Sequence, residues 1–202
     1  MTCPKIFLIG HMGADDHPHL ADFLSWYIEH LRIPPANLIM GVRNDPENTN
    51  APLVRCGEIF DRFQVPRWSE LWLDVDIADW RRNEQDTYVR DIDWVVHARI
   101  GDFLRVEWTN DCLASLADWM DHYEFDCVMG EIVERFAMRK LPAGRTPWEL
   151  YPHRAETNQR QVAMARGYWY VCDDGMLCPQ FQESAWAFPR PIDIHRFTYQ
   201  IR

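Results

Sequence analysis

The chain has 202 residues, 47% of them hydrophobic, and 21 Lys and Arg against 31 Asp and Glu give a formal net charge of −10. This composition excludes a disordered chain, and the acidity argues against a nucleic-acid partner, because phosphate contacts need clustered cations. No apolar run approaches a membrane span and Met1 to Lys5 shows no charged-then-apolar secretory pattern, so a cytoplasmic protein with no transmembrane segment is expected.

Residues 5–9 read as a buried strand, followed by a turn from Gly10 to Asp16. A helix is expected from about Pro18, because Leu20, Phe23, Leu24, Tyr27, Ile28 and Leu31 recur at three- and four-residue intervals. Pro34-Pro35 ends it, and residues 37–42 read as the next strand, completing a βαβ unit. A polar loop from Arg43 to Asn50 leads into a second amphipathic helix with Leu53, Val54, Ile59, Phe60 and Phe63 as its stripe. Residues 65–76 read as a short strand with a connection. Residues 78–92 are polar and helix-compatible, with Trp80 and Tyr88 as anchors and Arg81-Arg82 on a solvated face.

Trp94-Val95-Val96-His97-Ala98 reads as a central strand with Gly101-Asp102-Phe103-Leu104 at its carboxyl end. A helix is expected over 111–123, a long strand over Cys127 to Phe136, a loop over 141–153 and a further strand over 168–172. The spacing of the six cysteines offers no C-x-x-C pair, so buried free thiols are the expectation. His11, Asp15, Asp16, His17 and His19 crowd together but lack a helical metal-ligand spacing and read as helix-start residues. With no linker or repeat, the chain reads as one α/β domain over 1–202.

In open α/β sheets ligands sit beyond the carboxyl ends of the strands. That rule points to Gly10 and His11 after the first strand, to Asn44 and Asp45 after the second, and to Arg99 and Asp102 after the central one. Asn44-Asp45-Pro46 also fits an ordinary turn. His97 reads as a hydrogen-bonded core histidine and, through its nearness to Asp102, as a secondary site residue.

The stretch Trp94–Leu104 resembles the segment of family-2-like glycosyltransferases that reads W-hydrophobic-x-x-x-D-x-D-E-F-hydrophobic. Val128 to Phe136 is similar to that group's v-x-G-x-x-v-D-R-f strand, and Leu20 to Tyr27 to its first helix. The resemblance runs over roughly residues 5–200. It implies a GT-A-like, Rossmann-like central sheet flanked by helices in a single compact domain. It also implies transfer of a sugar from a nucleotide-sugar donor to an acceptor hydroxyl of unspecified identity. In that group D-x-D carboxylates hold a divalent cation, manganese or magnesium, against the diphosphate. Here Arg99 and Gly101 occupy those two positions, so the usual ligands are absent, no metal ligand is assigned, and a guanidinium is left to pair with the diphosphate directly. The resemblance places Glu131, Glu134 and Arg135 near the acceptor, with Asp102, Glu131 and Glu134 as carboxylates for its proton and Arg135 as a binding residue. A domain that kept the fold and lost the chemistry is the competing reading.

Overall fold

Near-continuous apolar runs form the centre of the structure, because a parallel strand covered on both faces has no position for a solvated side chain. The computed structural model describes residues 4–44, 50–110, 112–136, 148, 151, 153–172 and 187–197. Strands β1 (Ile6–Gly13), β2 (Leu38–Arg43) and β4 (Trp94–Arg99) are such runs, and β1 pairs in parallel with both of the others. Strand β3 (Arg67–Leu71) extends the parallel set beyond β2. The expected turn from Gly10 to Asp16 is corrected here: β1 continues to Gly13, because Gly10 to Gly13 pair with Met40 to Arg43 and leave no room to turn.

Helix α1 (His17–Ser25) follows, with Pro18 in its first turn, and its stripe of Leu20, Phe23 and Leu24 passes into a π-helical turn, Trp26–His30, that buries Tyr27. Helix α2 (Ala51–Arg62) buries Cys56 and Phe60 beside it, and α4 (Leu113–His122) adds Leu113, Leu116 and Met120 to the same cluster. Helix α3 (Ile77–Tyr88) covers the other face of β1, β2 and β4. Its N-cap Asp76 accepts hydrogen bonds from the backbone N–H groups of Ala78 at 2.8 Å and Asp79 at 3.2 Å. Arg81 belongs to its buried stripe, with Ile77, Trp80 and Gln85, which corrects the solvated-face reading of Arg81-Arg82.

The second half of the sheet departs most from expectation. Asp102 opens a separate strand, β5 (Asp102–Arg105), beyond β4. The long strand β6 (Cys127–Phe136) is as expected, but the strand expected over 168–172 lies earlier, as β7 (His153–Arg166), and β8 (Ala187–Phe197) was not anticipated. All eight strands join in the order β3-β2-β1-β4-β7-β6-β8-β5. Strand β7 runs antiparallel to β4 and β6, and β8 parallel to β6. The carboxyl ends of β1, β2, β3, β4, β6 and β8 therefore share one edge. Cys56 and Cys127 are buried free thiols. Among the described residues no helix is long and apolar enough to cross a membrane.

Asp93 ties the start of β4 to the N-terminal segment. Its carboxylate accepts hydrogen bonds from the backbone N–H of Lys5 at 2.8 Å, the backbone N–H of Arg90 at 3.0 Å and the Arg90 guanidinium at 2.6 Å. Burial pushes the carboxyl up, and the bonds from Arg90 and Lys5 outweigh it and hold it below the ordinary value. A depressed carboxyl stabilises the fold above its unfolded value, and that stabilisation is lost as pH falls through the lower folded value. Melting temperature measured from pH 6 down to pH 2 is expected to fall less steeply in Asp93→Asn than in the parent below about pH 4.

Candidate functional site

The face of the sheet under α3 changes character along its strands. Phe7 and Ile9 of β1, Ile39 of β2 and Val95 of β4 pack against Leu71, Ile77 and Trp80. Side chains repeat on one face every second residue, so His11, Arg43, His97 and Arg99 continue that face toward the shared carboxyl edge. His11 stands directly beside Arg99, and Gly13 beside Arg43. The apolar half anchors α3, and the polar half faces the place where a ligand of an α/β sheet is bound.

Arg81 closes this group from α3. It is buried, and its guanidinium donates to His11 Nδ1 at 2.8 Å and to the Cys172 carbonyl at 3.4 Å. Burial, and then the charges of Arg81, Arg99 and Arg43, bring the His11 imidazole down to about 3, so it is neutral at physiological pH. Three guanidiniums thus surround one uncharged ring. His97 is buried behind it, with Nε2 at 3.3 Å from Gln85 Oε1, and is held well below its ordinary value by burial and by Arg81 and His11. Gln85 is fixed in turn because its amide donates to the carbonyls of Gly167 at 2.7 Å and Trp169 at 2.8 Å.

Beside the cluster lies a cavity of about 210 Å³ lined by Gly13, Ala14, Asp15, Arg43, Asn44, Pro52 and Leu73. Asn44 is buried, its amide donating to Glu70 at 2.8 Å. The Arg43 guanidinium donates to the carbonyls of Leu73 at 3.3 Å and Val75 at 3.0 Å, which closes the cavity wall. Gly10 lies inside β1, where an added Cβ would stand 2.8 Å from Met40 Sδ. Asp45 lies outside the described residues.

Asp102 is buried at the start of β5 and clamped. Arg196 donates to its two oxygens at 2.8 and 3.2 Å, and Arg99 Nε lies 3.4 Å from it. Arg196 also reaches Gln161 at 3.1 Å. The pairing puts Asp102, Arg196 and Glu134 in one row across β5, β8 and β6. Glu134 is exposed, and no hydrogen bond or ion pair holds its carboxylate among the described residues. Strand alternation turns Glu131 to the opposite face, where it pairs with Arg160 at 2.7 Å. Arg135 shares that face, donating to His195 Nδ1 at 2.9 Å.

The residues at the D-x-D positions do not suit a divalent cation. Arg99 is a cation itself, and the carboxylate paired with it, Asp102, is already shared between two guanidiniums. Gly101 has φ 93°, a conformation in which an aspartate would be strained by about 1–2 kcal/mol. The backbone at this position therefore disfavours the second ligand as well as lacking it.

Arg43 and Arg81 were missed as site residues from sequence. The available signal was the spacing Ile77, Trp80, Arg81 and Gln85, which turns Arg81 and Gln85 inward with the apolar anchors of α3.

No family model matches the sequence, and no curated protein matches it. Over 98% of its length the chain is similar to the Staphylococcus aureus TarS 1-349 crystal structure in complex with UDP-GlcNAc, with a TM-score of 0.52 and 10% identity. The TarS 1-349 structure in complex with UDP gives a TM-score of 0.48 at 10% identity over 96% of the chain. The chain spans 60% of the length of each of these TarS chains. The fold is GT-A-like, as the resemblance implied: a mixed central sheet flanked by helices.

Proposed function

We propose that this chain is a glycosyltransferase that binds a nucleotide-sugar donor at the carboxyl edge of β1, β2 and β4 and holds the diphosphate with guanidinium groups in place of a divalent cation. The observation that carries this reading is the convergence of Arg43, Arg81 and Arg99 on the neutral His11. A cationic cluster beside a cavity attracts a polyanion, and guanidiniums match phosphate oxygens with two parallel bonds. The fold shared with a structure that holds UDP-GlcNAc supports the same edge as the donor site. The nucleoside fits the cavity formed by Gly13, Ala14, Asp15 and Asn44, beside Arg43.

In the transfer step the bond between the sugar anomeric carbon and the diphosphate oxygen breaks, its electron pair staying on the departing nucleotide. The acceptor oxygen bonds to that carbon and gives its proton to a carboxylate. Arg99, half exposed at the edge, meets the negative charge that grows on the leaving group. Of the three carboxylates considered as base, Glu134 suits the role best, because Asp102 is clamped by Arg99 and Arg196 and Glu131 is paired with Arg160. The same commitments favour a second reading, a nucleotide-sugar-binding or scaffold domain without turnover.

A panel of UDP- and GDP-sugars, with and without manganese, tests both readings. Thermal stabilisation by one nucleotide, with donor hydrolysis or transfer that is independent of manganese and slowed at least tenfold in Glu134→Gln, is the expected result. Stabilisation without turnover supports the binding domain. No stabilisation by any nucleotide removes both.

A further inference from the structure

A guanidinium can only donate, so the 2.8 Å bond from Arg81 to His11 Nδ1 assigns that nitrogen as the acceptor. The proton of the uncharged ring is therefore on Nε2. Among the described residues no hydrogen bond is made to Nε2, and the part-buried ring leaves this N–H open to solvent. His97 is the opposite case. The Gln85 amide nitrogen is committed to two carbonyls, so the amide oxygen accepts from His97 Nε2, and His97 Nδ1 is sealed inside the fold. One imidazole is locked into the core, and the other presents a single oriented donor.

The charged and titratable groups around His11 come from three elements: Arg81 of α3, Arg99 and His97 of β4, and Arg43 of β2. Each cation opposes a second proton on the ring. That proton would also have to enter at Nδ1, where the Arg81 guanidinium already donates. His11 is thus an uncharged donor near neutral pH, in the register position beside Arg99.

We infer that His11 Nε2–H donates a hydrogen bond to a diphosphate oxygen of the nucleotide sugar, and that Arg81 is the positioning residue that fixes its tautomer. This rests on the glycosyltransferase reading and deepens it, because it assigns an uncharged donor to a site otherwise built of guanidiniums. An N–H facing a phosphate oxygen makes a charge-assisted bond without adding a fourth cation to Arg43, Arg81 and Arg99. The bond strengthens as charge grows on the departing nucleotide, and it requires no proton transfer. Arg81 is buried and bonded to His11 and the Cys172 carbonyl, so its effect reaches the ligand through the ring.

Nitrogen-15 NMR of the imidazoles, with calorimetric titration of UDP-glucose and GDP-mannose, tests this role. The diphosphate of a nucleotide sugar is esterified at both ends, so it lacks the ionisation near about pH 6 of a terminal phosphate. In the ligand-free protein His11, identified by the signals missing from His11→Gln, is expected to hold the Nε2-protonated tautomer from about pH 5 to about pH 8. Saturation with the nucleotide sugar that binds is expected to shift the His11 Nε2 resonance and slow exchange of its proton, changes that a purely structural histidine would not show. His11→Phe, a ring without a donor, is expected to weaken that ligand about tenfold or more. His11→Gln, whose amide can accept from Arg81 and donate outward, is expected to stay within about threefold. In Arg81→Met the ring is expected to gain a second proton in this range, and affinity to rise as pH falls, while the parent stays constant within about twofold. Where Arg81→Met does not fold, the parent spectra and the two His11 variants decide. An unchanged spectrum in a folded Arg81→Met removes Arg81 from the role. A parent ring protonated at Nδ1, an Nε2 signal unmoved by saturating ligand, or full affinity in a folded His11→Phe overturns the proposal and leaves the glycosyltransferase reading standing. A parent that binds neither nucleotide sugar removes both.

Discussion

Arg99→Ala is expected to lower UDP affinity between ten- and a hundredfold while the protein stays folded. A hydrogen bond to a charged group contributes about 1.5–3 kcal/mol, and each 1.4 kcal/mol is about one decade in Kd. Arg99 suits this experiment because its side chain is 51% exposed, whereas Arg81 is buried and tied to His11 and Cys172. Its ion pair with Asp102 at 3.4 Å is of the half-exposed kind that contributes about 0–1 kcal/mol. Asp102 also keeps both bonds from Arg196 when Arg99 is removed, so no buried carboxylate is orphaned. The melting temperature is accordingly expected to move by no more than about 4 °C. Arg99→Lys separates charge from shape: a compact ammonium keeps the field but loses the planar fork, so its affinity should fall between parent and alanine. Adding manganese should restore nothing in either variant, since Asp102 stays bonded to Arg196. Calorimetry showing the parent affinity in Arg99→Ala would remove Arg99 from the diphosphate site.

Much of the parallel half of the sheet was legible in the residues because burial there is two-sided. Ile6 to Ile9, Leu38 to Val42 and Trp94 to Ala98 admit few other readings, and the stripe of Leu20, Phe23, Leu24 and Tyr27 has one helical solution. Strand β7 was not legible, because its first half, His153 to Gln161, is polar and owes its strand to pairing with β6. Strand β8 hid behind Pro189 and Pro191, which ordinarily argue against a strand inside a sheet. The ladder resolves the conflict. Val128 pairs with Phe188 and Gly130 with Ile192, so both prolines fall in the irregular stretch between regular pairs, where no ladder N–H is required. The aromatic run Tyr168-Trp169-Tyr170-Val171-Cys172 misled in the opposite direction. It has the composition of a strand, yet Gly167 and Trp169 give their carbonyls to the Gln85 side chain, and Val171 alone makes an isolated bridge.

The site was legible only where strand ends mark it. His11, Asn44 and Arg99 follow from the rule that ligands sit at carboxyl ends, and that rule says nothing of which helix residue reaches over them. Arg81 arrives from α3, some seventy residues after His11 in the chain, and the four intervening elements determine that the two meet. The clamp on Asp102 comes from Arg196, ninety-four positions later, on a strand that was itself unrecognised. Side-chain chemistry identified the candidate groups. Which of them are already committed to partners is a property of the tertiary structure.

Gly167→Ala is expected to destabilise the protein by about 3 kcal/mol or more, far beyond what one methyl group costs at an open position. A Cβ at this glycine would stand 2.1 Å from the Arg90 carbonyl oxygen and 2.9 Å from Val89 Cγ1. The first neighbour is backbone, fixed because the Arg90 N–H and guanidinium both bond Asp93, and Asp93 holds the start of β4. The glycine is held from its own side too, its N–H donating to the Asp93 carbonyl at 2.8 Å and its carbonyl accepting from Gln85 at 2.7 Å. Neither side has a rotamer that relieves the clash, so the turn between β7 and Trp169 must shift as a unit. Such a shift pulls on Gln85, which positions His97 and lies one helical turn from Arg81. A fall in melting temperature of roughly 6–12 °C is expected by calorimetry, together with weaker UDP binding at temperatures where the variant remains folded. Preserved stability would show that the turn yields without cost. Preserved affinity in a destabilised variant would show instead that α3 holds Arg81 independently of the bridge through Gln85.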